Sequence, residues 1–371
     1  MKRRADDDQV CTMSEGDVPL FCHSPPRSDF NDEDGYVRRE FNKLPEHERE
    51  IVMRDLYGIS KNVDENPRLV AECLDRLDYE LRSVKEKKQG FILARDKHSS
   101  YFDNEDFRLK FLRAENFDVR LAAKRVVKHF ETKFNLFGPD RIGKDITLED
   151  LDEHDMESLT SGGVQPLPGK DRGGRAIFFS RHEAWKYKHP KNMVGRDRFI
   201  LFYFFARISV FLKTETTPCV LTSLLFAIAF LQLRAQWYVT MSLLEDIETQ
   251  QQGIVVLAYN LGPFSSEAFN RALYKDATNL SKSLPVRIAG LHFCYDDIRF
   301  RMVWGLSMVF LGKEARVRSR DHEGSHIECR YGLMSYGIPV DKLPISVEGV
   351  ESKTNLLRWI EERREKERES G

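Results

Sequence analysis

The chain has 371 residues, more than one average domain of ~100–200 residues, so a helical module and a larger domain with a sizeable core are expected. Its 58 basic and 59 acidic residues give a formal net charge of -1, which excludes a whole-chain attraction to nucleic acid or anionic lipid. Six scattered cysteines without a CxxC pair are typical of a reducing compartment and favour the cytoplasm. Residues 1–38 lack an apolar signal core and are predicted to be a disordered, charged tail.

Helical spacing of apolar residues dominates the next hundred positions. It predicts one helix from Pro45 to Tyr57 and another from Asn66 to about Lys87. Two more amphipathic helices follow, separated near Asn116, and Asp118 is placed as the N-cap of the second. Residues 39–140 are therefore predicted to form a helical module.

Three short apolar runs with strand character come later in the chain. They are RAIFFS at 175–180, GIVVLAYN at 253–260 and RIAGLHFCYD at 287–296, and stretches with helical spacing separate them. Strands joined by helices predict an α/β fold of βαβαβ type with a mainly parallel sheet. This second domain is placed at 146–349, and 350–371 is predicted to be a C-terminal helix.

The stretch DDIRFRMVWGLSMVFLG contains a helix that is apolar on every side. Residues 302–311 are all apolar or glycine except Ser307. A helix of this kind faces a core, a bound apolar ligand or a bilayer, and burial in a core is the ordinary outcome.

Five segments, taken together, resemble the CRAL-TRIO lipid-binding and lipid-transfer family, which includes phosphatidylinositol-transfer and tocopherol-transfer-like proteins. In order they are FRLKFLRAENFDVRLAA, LPGKDRGGRAIFF, IVVLAYNLG, LPVRIAGLHFCYDDIRFRMVWGLSMVFLG and YGIPVDKLP, over roughly residues 105–345. The resemblance implies a helical module packed on a βαβαβ lipid-binding domain. The sheet would floor an apolar pocket, and a gate helix would open at membranes.

The resemblance also implies site residues. The gate helix would run from Ile298 to Phe310, with the apolar positions Ile298, Met302, Val303, Leu306 and Phe310. The residues implied to line the pocket, each of which also suits an ordinary core, are Phe178, Trp237, Met241, Val256, Ala258, Phe293, Trp304 and Met308.

A basic run, GKEARVRSR, lies directly after the gate helix. Lys313 is close to Arg316, Arg318 and Arg320, and the three arginines alternate, so a strand there would place them on one face. Guanidinium groups bind phosphate oxygens bidentately, so this face is a candidate for binding a phosphoinositide or phospholipid head group. The alternative is an edge strand kept soluble by charge.

Arg287 is a further phosphate-binding candidate in the family pattern. Family members that bind phosphatidylinositol carry an acidic residue before this arginine, and a hydroxyl and a lysine in the later strand. This chain has Val286, Ala315 and Arg318 at those places, which disfavours phosphatidylinositol as the cavity ligand.

Residues 208–234 form an apolar insertion that the family pattern does not accommodate. The apolar core from Val220 to Leu233 is shorter than the ~20 residues that span a bilayer, which disfavours a transmembrane helix. An interfacial hairpin stays open, and so does a translated intron, because Leu-Leu-Phe to Phe-Leu-Gln is what a pyrimidine-rich tract ending in CAG encodes.

One motif points to an enzyme. His322, Glu323 and His326 match HExxH, a zinc metalloprotease motif that requires a continuous helix. Gly324 in its middle and the strand-like residues before it favour a loop, so no metal, cofactor or catalytic residue is expected.

Two functions remain open. The first is a non-enzymatic carrier that binds a hydrophobic small molecule or phospholipid and exchanges it at membranes as a reversible peripheral protein. The second is a lipid-sensing adaptor that uses the same fold to regulate an unidentified protein partner.

Overall fold

A computed structural model describes residues 35–59, 65–85, 88–181, 233–262 and 271–370. Within these ranges it leaves out the side chains of residues 35, 36, 271–275, 302, 303, 306, 307, 309, 310 and 370.

The amino-terminal part of the described chain is helical, as predicted. Its helices are α1 Gly35–Asn42, α2 Glu46–Leu56, α3 Pro67–Ser83, α4 Gln89–Lys97, α5 Ser99–Phe102, α6 Glu105–Ala114, α7 Val119–Phe137 and α8 Glu153–Thr160. Side-chain caps fix the starts of α3 and α7: Leu69 N donates to Asn66 Oδ1 at 2.9 Å, and Leu121 N donates to Asp118 Oδ1 at 2.9 Å. The Asp118 cap confirms its prediction.

The apolar faces of α3 and α7 meet in one aromatic-rich core. Leu77 of α3 and Ala122, Val126 and Phe130 of α7 are almost completely buried and belong to one cluster. These residues recur at the three-to-four-residue spacing of one helix face, so the helical period that predicts the helices also predicts the core.

A five-stranded sheet forms the second part and confirms the predicted α/β fold with a mainly parallel sheet. The strands are β1 Val164–Lys170, β2 Ala176–Ser180, β3 Ile254–Asn260, β4 Ile288–Tyr295 and β5 Ser319–Glu323, in that spatial order. β1 pairs with β2 antiparallel, and β2 to β5 are parallel. The three predicted runs are β2, β3 and β4.

Helices cover both faces of the sheet. They are α9 at residues 233–243, α10 Ile247–Gln252, α11 Arg271–Ser281, α12 Ile298–Phe310, α13 Lys313–Val317, α14 His326–Ser335 and α15 Thr354–Ser370. Residues of one strand parity, such as Ile177 and Leu257, are buried against Cys329 and Leu333 of α14 on the back face. The alternate residues of the same strands point to the front face, where α9, α11 and α12 lie.

Polar contacts attach the helical part to the loop between α11 and β4. Arg125 Nη1 donates to the carbonyl oxygens of Leu284 at 2.8 Å and Val286 at 3.3 Å. His129 Nδ1 lies 3.2 Å from the Ser283 carbonyl oxygen. The start of β4, which borders the front face, is therefore held directly by α7.

Within the described residues, none of the helices combines the length and the apolar character needed to cross a bilayer.

Candidate functional site: an apolar-lined cavity on the front face of the sheet

The floor of a cavity is formed by the front-face residues of three adjacent parallel strands. One cross-strand row is Phe178, Val256 and Leu291, because Phe178 pairs with Val256 and Val256 with Leu291. In the next row Ala258 pairs with Phe293. Paired residues of a sheet share a face, so period-two alternation places these apolar side chains under one cavity of about 190 Å³.

Helices supply the cavity walls. Contributions come from α9, α11, the loop before β4, and α12 with the residue after it. The complete lining is Phe178, Ser180, Gln236, Thr240, Ile254, Val256, Ala258, Asn260, Ala277, Thr278, Leu280, Ser281, Leu284, Val286, Ile288, Leu291, Phe293, Trp304 and Leu311. None of these described lining residues carries a charge.

The few polar groups of the lining are neutral hydroxyls and amides. Ser180 and Asn260 stand at the carboxyl ends of β2 and β3, where open parallel sheets commonly bind ligands. Gln236 and Thr240 lie one turn apart on α9 and are both buried. Such a lining can hold an apolar molecule and orient it by a few hydrogen bonds, whereas an ionised group would find no countercharge among the described lining residues.

The predicted gate helix occupies the predicted position. Helix α12 runs from Ile298 to Phe310, and its Trp304 ring stacks on Phe293 with centroids 4.7 Å apart and an interplanar angle of 10°. Met308 is buried in the same cluster, and Val37 of α1 joins it. Ile298 is 57% exposed. The side chains of the other predicted gate residues, Met302, Val303, Leu306 and Phe310, lie outside the described set.

Five of the eight predicted pocket residues line the cavity: Phe178, Val256, Ala258, Phe293 and Trp304. The other three, Trp237, Met241 and Met308, are absent from its lining and pack in the core.

The position of Trp237 has a clear physical reason. Its neighbours Gln236 and Thr240 are one turn apart and face the cavity, while Trp237 is rotated toward α7. There it packs on His129 at 4.6 Å and on Phe137 at 5.8 Å between ring centroids.

Sequence reasoning missed part of the floor and, apart from Trp304 of α12, the walls. Ile254 and Leu291 have the same strand parity as Val256 and Phe293, so alternation could have identified them. The contributions of α11, such as Thr278 and Ser281, had no comparable signal, because they depend on how that helix lies over the sheet.

The predicted strand face of alternating arginines is wrong. Arg316 lies in helix α13, Arg318 caps that helix, and only Arg320 is in strand β5. Lys313 begins α13 and is exposed. The chain turns between Arg316 and Arg320, so a period-two argument does not apply to them.

Carboxylates of the first two helices engage the predicted phosphate-binding arginines. Asp55 accepts from Arg287 at 2.9 Å and from Arg318 at 2.8 Å, and its own side chain is 2% exposed. Glu40 accepts from Arg316 through both oxygens, at 2.7 and 2.8 Å. Arg320 is buried and donates to the Ser319 carbonyl oxygen at 2.7 Å. We call Arg287, Arg316 and Arg318 with these two carboxylates the arginine cluster.

The HExxH motif does not form a metalloprotease site. His322 and Glu323 end strand β5, Gly324 has a φ of +140°, and His326 begins α14. The two histidines are therefore not one turn apart on a single helix. His322 Nε2 instead lies 3.0 Å from His292 Nδ1, and the described residues contain no His/Cys/Asp/Glu group suited to a metal.

The anomalous insertion at 208–234 lies outside the described residues except for its last two positions. Leu233 is buried in the main core, and Arg234 pairs with Asp152 at 3.2 Å and with Asp155 at 3.1 Å.

The fold and cavity define an α/β protein with a pocket over a parallel sheet, and the described lining of this pocket is uncharged and largely apolar. A scan against family models finds no match, and a search of curated proteins also finds none. Among solved structures the chain is similar to one titled "Crystal structure of Sfh5", with 10% sequence identity and a TM-score of 0.38. That similarity covers 70% of this chain and 82% of the other, and it is too weak to carry an argument about function.

Proposed function

We propose that this protein binds a hydrophobic small molecule or the apolar part of a phospholipid in the front-face cavity and exchanges it with membranes. The observation that carries the proposal is the cavity lining, which combines 13 apolar residues with 6 neutral polar ones and no charge among the described residues. A protein of this kind binds its ligand without converting it chemically. It would contact membranes reversibly as a peripheral protein in the cytoplasm.

Free energy supports an apolar occupant. Each CH₂ group moved from water into such a lining contributes about 0.8 kcal/mol. Neutral donors and acceptors such as Gln236, Thr240 and Asn260 fit one weakly polar end of a ligand. A charged head group would remain outside the cavity, because desolvating it without a countercharge is costly.

Release requires a moving wall, and α12 is the best candidate. Its described contacts with the sheet include the apolar side chains of Phe300, Trp304 and Met308, and Arg301 of the same helix lies 3.8 Å from Glu323 of β5. A bilayer offers the same apolar burial to these side chains and to the ligand, so opening at its surface costs less than opening in water.

The first test is organic extraction of the purified protein followed by mass spectrometry, together with transfer of radiolabelled phosphatidylcholine between vesicles. The Ala258→Phe variant places a ring over the middle of the cavity floor. We expect it to lose stoichiometric copurified ligand and to reduce transfer at least about tenfold, since overpacking excludes the occupant. Ala71→Phe, at an exposed position of α3, is the matched control and should keep both.

Three outcomes have distinct meanings. An apolar ligand in the wild type that is lost only in Ala258→Phe supports the proposal. Equal ligand content and transfer in both variants would remove the cavity from the mechanism. One-to-one retention of ligand without transfer would favour the lipid-sensing adaptor.

A further inference from the structure

A second concavity lies on the helical part of the molecule. It has a volume of about 700 Å³ and runs along α7, between the end of α3 with its following loop and Asn279 of α11. Its lining is Glu80, Ser83, Val84, Lys88, Arg120, Ala123, Lys124, Val127, Lys128, Glu131, Thr132, Asn135 and Asn279. We call it the lysine groove. None of these residues lines the front-face cavity.

Cations outnumber carboxylates in the lysine groove. Arg120, Lys124 and Lys128 are spaced by four residues, so they form one row along α7, and Lys88 lies in the facing loop. Arg120 pairs with Glu80 at 3.8 Å. Among the described residues, no ion pair or hydrogen bond engages the side chain of Lys88, Lys124 or Lys128.

Lys128 is the most constrained of these cations. It is half-buried, and burial lowers the pKa of its amine, with further lowering by the nearby charges of Lys282 and Arg125. A half-buried ammonium close to the like charges of Lys282 and Arg125 is unfavourable by itself. No described carboxylate pairs with Lys128, and a bound anion would supply that partner.

The groove also contains an unused acceptor. Glu131 Oε1 accepts from Gly90 N at 3.4 Å, whereas Glu131 Oε2 is buried without a hydrogen-bond partner. Buried carboxylate oxygens normally have a donor, so this atom is suited to a hydroxyl of a ligand. Thr132 and Asn135 add a hydroxyl and an amide along the same helix face.

We propose that the lysine groove binds a phosphorylated polyol, with Lys88, Lys124 and Lys128 on phosphate oxygens and Glu131 on a polyol hydroxyl. Ammonium groups form strong charge-assisted hydrogen bonds with phosphate, and a carboxylate accepts from a hydroxyl. A soluble inositol phosphate and a phosphoinositide head group share this chemistry. The groove replaces the arginine cluster as the phosphate site, because there the charges are already engaged by Asp55 and Glu40.

Calorimetric titration with inositol trisphosphate tests the groove directly. We expect saturable one-to-one binding by the full chain, weakened at least about tenfold in Lys124→Ala/Lys128→Ala through loss of two charge-assisted contacts. Lys43→Ala/Lys97→Ala removes the same charge from exposed positions outside the groove and should bind like the wild type. Lys124→Met/Lys128→Met keeps the apolar stems and serves as a second variant if the alanine pair folds poorly.

A second readout addresses the hydroxyl contact. Glu131→Gln should weaken inositol trisphosphate severalfold while leaving the affinity for inorganic pyrophosphate unchanged or higher, because pyrophosphate has no polyol hydroxyl. Equal losses for both probes would overturn the assigned role of Glu131. No binding by the wild type, or equal losses in the groove pair and the control pair, would overturn the site.

Vesicles separate the two sources of the ligand. Flotation with phosphatidylcholine vesicles that contain phosphatidylinositol bisphosphate, competed by inositol trisphosphate, identifies a lipid head group as the ligand. Calorimetric binding without flotation identifies a soluble inositol phosphate. Both results support the site.

Discussion

The front-face cavity and the arginine cluster border the same parallel strands. The cavity extends along the strands from Ile254 and Ile288 at the amino ends of β3 and β4 to Asn260 at the carboxyl end of β3, whereas Arg287 and Arg318 directly precede the amino ends of β4 and β5. Both regions contain residues that the sequence marks as binding residues. The cavity keeps open space, while the arginine cluster is occupied by Asp55 and Glu40.

The difference follows from what each kind of side chain requires when buried. Apolar side chains around a gap lose only part of their dispersion contacts, so a fold can tolerate a cavity of moderate size. A buried guanidinium cannot release its proton, so it needs a carboxylate and further acceptors nearby. We therefore expect the arginine cluster to hold α1 and α2 against the sheet. We expect the front-face cavity to bind the ligand.

Removal of the central carboxylate should produce the largest effect on stability. Asp55→Ala leaves Arg287 and Arg318 without their shared carboxylate at a position where the aspartate side chain is 2% exposed. Breaking a buried ion pair from one side costs about 3–5 kcal/mol. Urea denaturation should show that loss in the free energy of unfolding.

Asp75→Ala, at an exposed position of α3, is the matched control and should change stability by less than about 0.5 kcal/mol. Unfolding of both variants at the same urea concentration would show that the arginine cluster does not stabilise the fold. The proposed division between a stabilising arginine cluster and a ligand-binding cavity would then be wrong.

Short-range sequence patterns predicted those helices and strands that are marked by residues close together in the chain. The Asp118 cap, the helix start near Asn66 and the apolar runs of β2, β3 and β4 are examples. Strand β1 was missed because VQPLPGK contains two prolines, which a central strand excludes and an edge strand tolerates. Strand β5, with the sequence SRDHE, has hardly any apolar pattern.

The partners of the arginines could not be read from sequence spacing. Asp55 is 232 residues from Arg287 and 263 from Arg318, and Glu40 is 276 from Arg316. The alternation in RVRSR suggested a free phosphate-binding face because sequence spacing cannot reveal such distant carboxylates. The cavity floor was easier to predict, because strand parity alone assigns a side chain to a face.

Buried histidines should make stability fall in mild acid, the next largest effect. Burial lowers the pKa of His129 and of His292 well below the ordinary value and lowers the pKa of His322 to about 4. Below about pH 6.5 the unfolded chain therefore binds more protons than the folded chain, and each histidine removes up to about 1.4 kcal/mol per pH unit. Asp155 opposes this trend, because burial raises the pKa of its carboxyl to about 7.

The net expectation is a loss of roughly 2 kcal/mol between about pH 6.5 and about pH 5.5, because three histidines destabilise and Asp155 offsets about one of them; urea denaturation at each pH measures it. His129→Phe keeps the aromatic packing against Trp237 and should reduce that loss by roughly 1 kcal/mol. His47→Gln, at an exposed position, should leave the loss unchanged. An unchanged loss in His129→Phe would show that His129 does not contribute to it. Unlike arginine, these bases can be buried in the neutral form, so they need no carboxylate.

The smallest effect should come from Glu40, where the two regions meet. Its carboxylate binds Arg316 bidentately from α1, and Val37 of the same helix packs in the cluster that contains Trp304 of α12, a residue of the cavity lining. Glu40→Gln weakens this partly exposed pair by about 1 kcal/mol, so amide hydrogen exchange in residues 35–42 should quicken about fivefold. Glu48→Gln, exposed on α2, is the control. If hydrogen exchange in α1 and release of the cavity ligand both become faster, the arginine cluster and the cavity open together. If exchange becomes faster while ligand release is unchanged, the cavity opens independently of the arginine cluster.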